Sequence, residues 1–172
     1  MSELITPRLR LRRITLDDAE LVMRVMNTPG FIRFVGDRGL REVEATRNYL
    51  QTGPLAQADD RLGLWRVARK EDDVAVGAVT LLQRPFLDAP DLGYALLPEH
   101  ERRGYAFEAA AALRDHARVT LGFDPLYALT SPDNDASIRL LGKLGFAFVR
   151  LMQTPTHSGP SRLLLYRPPG GD

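Results

Sequence analysis

The stretch Leu96-Leu97-Pro98-Glu99-His100-Glu101-Arg102-Arg103-Gly104-Tyr105-Ala106 joins a predicted strand to the start of a predicted helix. The first turn of a helix leaves backbone N–H groups without intrahelical partners, and the helix dipole adds partial positive charge there. Such a junction binds phosphate or pyrophosphate well, and two arginines and a glycine strengthen the signal. On spacing alone, an ordinary strand-to-helix turn with surface arginines explains the same residues.

A second informative stretch runs from Asn134 to Phe146, NDASIRLLGKLGF. Ile138, Leu141 and Leu144 give it a helical apolar stripe, and Asn134 is a typical helix N-cap residue. Asn134 and Ser137 are three residues apart, so both can lie on one helix face beside the first site. Capping alone is the other interpretation of this asparagine.

Outward from these two stretches, hydrophobic periodicity predicts seven strands and four helices. The predicted strands cover 8–14, 62–70, 74–82, 91–97, 126–131, 146–154 and 161–167, and the predicted helices cover 16–27, 41–50, 105–122 and 134–144. Residues 31–40 are predicted to form an apolar loop. The arginines of the first strand are predicted to form a solvated face. The unit from 91 to 131 is predicted to form a parallel crossover, which is expected to be right-handed, so the chain is predicted to have a mixed α/β (α+β) fold.

Composition narrows the function classes. The chain has 172 residues, which suits one domain, predicted over residues 1–168 with a tail at 169–172. A net charge of +1 argues against a general nucleic-acid binder, and zero cysteines exclude disulfides and a cysteine nucleophile. The three histidines lie 16 and 41 residues apart, which fits no common metal spacing, so no metal is expected. The sequence shows no membrane span and no signal-peptide core, which predicts a cytoplasmic protein with no membrane partner.

Together the segments resemble the Gcn5-related N-acetyltransferases (GNAT family), specifically the RimJ/RimL-type branch of ribosomal-protein alanine N-acetyltransferases. The resemblance covers nearly the whole chain. Its motifs occur in family order: TPRL from Thr6, the hairpin LWRVARKEDDVAVGAVTLL, the block LGYALLPEHERRGYAFEA, and NxxSxxLLxKLGF from Asn134. The resemblance implies a single-domain, mostly antiparallel sheet whose central parallel pair is splayed to admit coenzyme A.

It also implies acetyl-CoA as the co-substrate and a set of binding residues. The backbone of β-strand residues would pair with the pantetheine arm, N–H groups of the loop would hold the pyrophosphate, and Asn134 and Ser137 would lie along the arm near the sulfur. The implied cofactor-binding residues are Tyr94, Ala95, Leu96, Arg102, Arg103, Gly104, Tyr105, Ala106, Phe107, Asn134 and Ser137. A backbone N–H near Leu96 would stabilise the oxyanion.

Three positions depart from the family pattern. Glu101 stands where the family usually has Arg or Gln, and a carboxylate there would need to point away or pair with a neighbouring cation. Arg102 replaces a frequent glycine. Leu141 occupies the position where many relatives carry a tyrosine that protonates the leaving thiolate, so Ser137 is the predicted catalytic substitute.

The general base is less well defined. Asp91 is the predicted base, although a strand-end aspartate in a turn is the other interpretation; Glu108 is predicted to be structural, and His157 borders the predicted acceptor site. The acceptor would be a primary amine on a protein N-terminus or a small molecule, beside the apolar residues of 31–41. The alternatives are a transferase for a larger acyl-CoA, a non-catalytic acyl-CoA-binding module, and a nucleotide-phosphate binder. Homodimers are common in this fold.

Overall fold

An eight-stranded mixed sheet forms the centre of the computed structural model, which describes residues 3–56, 59–155 and 159–168. The strands are β1 Leu4–Ile5, β2 Leu9–Arg13, β3 Gly63–Arg69, β4 Ala75–Leu82, β5 Asp91–Leu96, β6 Tyr127–Thr130, β7 Phe146–Gln153 and β8 Pro160–Tyr166. The α-helices are α1 Ala19–Met26, α2 Pro29–Phe34, α3 Val43–Thr52, α4 Tyr105–Asp115 and α5 Asp135–Lys143. A π-helical segment, His116–Thr120, extends α4.

The strand order is β1-β2-β3-β4-β5-β6-β8-β7, and β5–β6 is the parallel pair in it. All the other neighbours are antiparallel. The predicted mixed, mostly antiparallel sheet with a central parallel pair is therefore confirmed. The additional strand is β1, whose two residues are too few to show the period-two alternation that identifies a strand in a sequence.

Apolar side chains are buried on both faces of the sheet. One cluster joins β2, β3 and β4 to α4 and α5, and it includes Leu9, Trp65, Val79, Leu113 and Leu141, none of which is more than 2% exposed. A second cluster on the other face joins α1 and α3 to the sheet. Helices therefore cover both faces of the sheet.

The predicted loop over 31–40 is wrong in its first part, since α2 occupies Pro29–Phe34. Thr28 is its N-cap, with the Oγ1 atom accepting a hydrogen bond from Phe31 N at 3.2 Å, and Pro29 follows at the first helical position. Proline is favoured there because its fixed φ suits a helix start and its missing N–H would have no partner. The Thr-Pro pair therefore starts a new helix as well as ending α1.

Within residues 3–56, 59–155 and 159–168, no helix is long and apolar enough to cross a membrane. The tail predicted at 169–172 lies outside the described residues.

Candidate active site

The cleft begins where the parallel strands separate. β5 and β6 are in register at Asp91 and Tyr127, and beyond that pair β5 continues to Leu96 bonded to β4 alone. The cleft between them has a volume of about 1470 Å³. Pockets for one ligand usually measure about 300–1,000 Å³, so this cleft has room for two reactants. The predicted splayed pair is confirmed, and the β5 residues Tyr94, Ala95 and Leu96 line the opening.

The loop before α4 presents a row of unused backbone donors. In the described structure, the six consecutive N–H groups of Arg102, Arg103, Gly104, Tyr105, Ala106 and Phe107 donate no hydrogen bond. Positive φ angles at Arg102 (60°) and Gly104 (79°) flank Arg103. Such alternation of backbone hand makes successive N–H groups converge on one concavity, which attracts anions. Five of these residues, all except Arg103, line the cleft.

Arg8 supports this loop, although the sequence pattern placed it on a solvated strand face. Its Nη1 donates to the carbonyl oxygen of Arg103 at 2.9 Å, and its Nε donates to Glu108 Oε2 at 2.7 Å. Glu108 Oε1 also accepts from Thr6 Oγ1 at 2.6 Å and from Arg8 N at 2.8 Å. These bonds hold the pKa of the Glu108 carboxyl below its usual range despite partial burial. Glu108 therefore fixes the loop to the start of β2, as its predicted structural role requires.

Glu101 is not neutralised by the partner that the sequence suggested. It is exposed and lines the cleft, and no cation in the described part of the chain lies within 4.0 Å of its carboxylate. Nearby Glu99, in contrast, pairs with Arg24 at 2.7 Å. The next residue, Arg102, holds the left-handed conformation that explains why relatives favour glycine at this position.

Asn134 and Ser137 start α5 at the cleft wall. The Asn134 Oδ1 atom accepts a hydrogen bond from Ser137 N at 3.1 Å, so this residue caps the helix. Both side chains also line the cleft, so the capping and cleft-facing interpretations hold together. The amide Nδ2 of Asn134 makes no hydrogen bond with any described residue and remains a donor toward the cleft.

Ser137 has a partner that the sequence did not indicate. The phenol oxygen of Tyr94 on β5 lies 2.8 Å from Ser137 Oγ and 3.3 Å from the Ser137 carbonyl oxygen. Burial raises the pKa of the Tyr94 phenol to about 12, and the hydrogen bond to Ser137 opposes that rise. The phenol is therefore protonated at neutral pH and is available as a donor. Leu141, one turn further along α5, is 1% exposed and packs in the core.

Asp91 forms a buried ion pair at the base of the cleft. Arg84 Nε donates to Asp91 Oδ1 at 2.8 Å, and the carboxylate side chain is 4% exposed. Burial raises the pKa of Asp91, and the Arg84 charge opposes that rise. Both residues line the cleft, so the predicted base lies within it.

Apolar side chains of α2, of the residue that follows it and of α3 also line the cleft. They are Phe31, Phe34, Val35 and Tyr49, and Arg38 lines the cleft as well. His157, predicted to border this region, lies outside the described residues. The Nδ1 atom of His100 is buried without a hydrogen-bond partner among the described residues. No group of three or more metal-ligating side chains occurs in the described ranges.

Comparison with known proteins assigns this geometry to a family. The model of the acetyltransferase (GNAT) domain matches residues 8–147. The uncharacterized N-acetyltransferase YoaA of Bacillus subtilis is 30% identical over 144 residues, which cover 82% of this chain and 80% of that protein. An acetyltransferase structure from Agrobacterium tumefaciens superposes with a TM-score of 0.76 at 25% identity, covering 98% of this chain and 95% of the other. The RimL ribosomal L7/L12 alpha-N-protein acetyltransferase, solved with coenzyme A, has a TM-score of 0.80 at 15% identity, covering 95% and 97%.

Proposed function

The chain belongs to the GNAT acetyltransferase family, and from that premise we propose that it transfers the acetyl group of acetyl-CoA directly to a primary amine. The row of six unpaired N–H groups from Arg102 to Phe107 is the observation that carries the proposal. A pyrophosphate needs several donors and compensating positive charge at one place, and this loop offers both. A similar fold, the RimL acetyltransferase, has been solved with coenzyme A.

Each part of acetyl-CoA has matching groups in the cleft. The loop N–H groups and Arg102 would hold the pyrophosphate, and the open edge of β5 from Tyr94 to Leu96 would pair with the amides of the pantetheine arm as an added strand does. Asn134 Nδ2 would donate to the same arm. The substrate supplies the acetyl group as an activated thioester.

In the transfer, the C–N bond to the amine forms and the C–S bond breaks, and one proton moves from the amine to the sulfur. An N–H near Leu96 would donate to the acetyl oxygen as negative charge develops on it. The Ser137 hydroxyl would donate to the leaving sulfur, and the Tyr94 phenol would hold this hydroxyl in position. No covalent enzyme intermediate is required.

Asp91 is the proposed base for the amine. Its raised pKa makes it a better proton acceptor than an exposed aspartate, and it lines the cleft. The pairing with Arg84 also suits a purely structural role. Asp91→Asn and Arg84→Gln separate the catalytic role of Asp91 from the structural one. Loss of the base in Asp91→Asn should lower kcat at neutral pH, whereas loss of the ion pair alone in Arg84→Gln should mainly lower the free energy of unfolding.

The chemical class of the acceptor is proposed from the resemblance to the RimJ/RimL branch rather than from the side chains that line the cleft. A protein N-terminus, as in the RimJ/RimL branch, and a small amine are both proposed acceptors. A cytoplasmic location and a homodimeric assembly stay predictions.

A non-catalytic acyl-CoA-binding module is the second candidate, favoured by two observations: the unneutralised Glu101 in the cleft and the buried Leu141 in place of a tyrosine. A transferase for a larger acyl-CoA would differ from an acetyltransferase in the acyl-CoA that gives the highest rate of thiol release.

Steady-state thiol release from acetyl-CoA, measured over a panel of primary amines and N-terminal peptides, tests the proposal. Amine-dependent release with an acetylated product in the mass spectrum supports the transferase. Tight acetyl-CoA binding without release for any amine would support the binding module instead.

A further inference from the structure

Arg38 is a cation in the cleft without a counter-ion. It lines the cleft, and its Nε atom is buried and makes no hydrogen bond with any residue in the described ranges. No carboxylate of those residues lies within 4.0 Å of its guanidinium, since its neighbour Asp37 pairs with Arg41 instead. A buried guanidinium nitrogen without an acceptor costs about 1–3 kcal/mol of desolvation. A bound anion would supply the missing acceptor.

The proposed pyrophosphate site at residues 102–107, here called the phosphate loop, lies at one end of the cleft. The segment that carries Arg38 lies toward the other end, where the acceptor would bind, here called the acceptor end. Leu40 and Leu82 both pack against the cluster that contains Leu64. Leu82 is in register with Asp91, at the closed end of the parallel pair, whereas the phosphate loop follows Leu96 at the open end. Five residue steps of β5 separate these two ends, about 17 Å at the usual rise of a strand. This packing favours the acceptor end of the cleft for Arg38 over the pyrophosphate.

The charges around this end leave a positive balance. Asp91 and Arg84 neutralise each other as an ion pair. Arg38 then contributes one uncompensated positive charge, and Phe31, Phe34 and Tyr49 contribute apolar side chains to the same cleft. A site with one cation and an apolar wall fits a ligand with one anionic group and an apolar body.

Resting on the proposed function, we propose that the acceptor is a small amine bearing a carboxylate and an apolar body, as an apolar amino acid does, and that Arg38 binds its carboxylate. A planar guanidinium matches a carboxylate through two parallel hydrogen bonds, which gives orientation as well as attraction. The amine is then directed toward the thioester while the apolar side chain lies against α2 and α3.

The same charge balance disfavours a polyamine acceptor. A second ammonium group near Arg38 would be repelled, since the described wall offers it no unpaired carboxylate on that side.

The test compares α-amino acids with their primary amides as acceptors, using the wild-type chain, Arg38→Met and Arg38→Lys. Arg33→Met is the matched control, because Arg33 is an exposed arginine outside the cleft whose removal changes the net charge equally. We expect kcat/KM for apolar amino acids to exceed that for their amides at least tenfold in the wild type and in Arg33→Met. Arg38→Met should reduce this ratio to near one, and Arg38→Lys should retain part of it.

An equilibrium measurement keeps the proposal testable even if no acceptor turns over. N-acetyl-leucine and N-acetyl-phenylalanine are titrated against their amides in the presence of saturating coenzyme A, with calorimetry as the readout. Selective binding of the free acids that is lost in Arg38→Met supports the proposal. Equal binding of acids and amides, binding of neither, or a preference that survives Arg38→Met overturns it. The proposed acetyl transfer itself fails separately, if no amine of any class releases thiol.

Discussion

The phenol oxygen of Tyr94 lies 2.8 Å from the hydroxyl oxygen of Ser137, and this contact spans the cleft from β5 to α5. The two residues are 43 positions apart in the sequence. When the phenol donates to Ser137 Oγ, the serine proton is free to point at a ligand. The pair thus supplies an oriented donor at the wall where Leu141 leaves none.

Removing either hydroxyl should slow acetyl transfer. We expect Ser137→Ala to lower kcat about 100-fold, the lower end of the range for a proton-donating side chain, with KM for acetyl-CoA nearly unchanged. Tyr94→Phe should lower kcat up to about tenfold, equivalent to one hydrogen bond. In the double variant, the loss should match that of Ser137→Ala alone, because Tyr94 acts through the serine.

The control for Tyr94→Phe is Tyr166→Phe, which removes a phenol oxygen that makes no hydrogen bond in the described structure. Fully additive losses in the double variant would show that Tyr94 and Ser137 act independently and would refute the positioning role.

The buried phenol of Tyr94 also predicts a dependence of stability on alkaline pH. Its pKa is raised from 10.0 to about 12 by burial. Between these values the unfolded chain loses the proton while the folded chain keeps it, so the stability present below pH 10 declines as the pH rises. At pH 11 the loss is about 1 kcal/mol. Urea unfolding at pH 9 and pH 11 should show a smaller decline for Tyr94→Phe than for the wild type, and equal declines would contradict the assignment.

Arg102 stores backbone strain in the phosphate loop. Its φ angle is 60°, a left-handed conformation that costs a non-glycine residue about 1–2 kcal/mol. Glycine relieves this strain but loses about 0.5–1 kcal/mol of chain entropy on folding. We therefore expect Arg102→Gly to be more stable than the wild type by about 0.5–1 kcal/mol in urea unfolding, and to bind acetyl-CoA more weakly because a charge is lost.

Arg103→Gly is the matched control, since it removes the same charge from a residue whose φ is negative. It should be less stable than the wild type. If both variants changed stability equally, strain at Arg102 would not be the cause.

If the loop before α4 holds the pyrophosphate of acetyl-CoA, the Glu101 carboxylate weakens that attraction. A unit charge at about 5–8 Å in a water-like medium contributes about 0.5–1 kcal/mol. Glu101→Gln should therefore tighten acetyl-CoA binding about two- to fivefold in calorimetry at low salt, and the gain should shrink in 0.5 M NaCl. Glu99→Gln is the comparison, because the Glu99 carboxylate is already paired with Arg24. Weaker binding in Glu101→Gln would mean that the carboxylate itself contacts the ligand.

The elements that carry strong local patterns could be predicted from the sequence. Leu9 and Leu11 alternate with arginines and are both fully buried in β2, and Gly145 follows α5 with a φ of 88°. The junction between β5 and α4 could also be predicted, because the strand, the arginines, the glycine and the helix start are contiguous; its role in phosphate binding stays a prediction.

The contacts that shape the site could not be predicted, because they join distant residues. Arg8 reaches Glu108 across 100 positions, so the alternating Arg-Leu pattern of β2 showed only an exposed face. The Tyr94–Ser137 and Arg84–Asp91 pairs likewise depend on the packing of separate elements. Thr28 and Pro29 start α2. Because α1 ends only two residues earlier, the same Thr-Pro pair is read from the sequence as the end of α1 alone.

The binding of acetyl-CoA by the loop before α4 is tested most directly by an acetyl-CoA titration of the wild type, Gly104→Glu and Gly122→Glu. Both glycines have positive φ, 79° and 74°, so the two variants carry similar backbone strain. A side chain at Gly104 would begin 3.2 Å from Arg8 Nη2 in the row of free N–H groups, whereas one at Gly122 meets no atom within 4 Å. We expect the wild type and Gly122→Glu to bind acetyl-CoA, with a stability gain of about 2.7 kcal/mol at 100 times the Kd, and Gly104→Glu not to bind it. Binding retained in Gly104→Glu, or absent from the wild type, would show that the N–H groups before α4 do not hold acetyl-CoA.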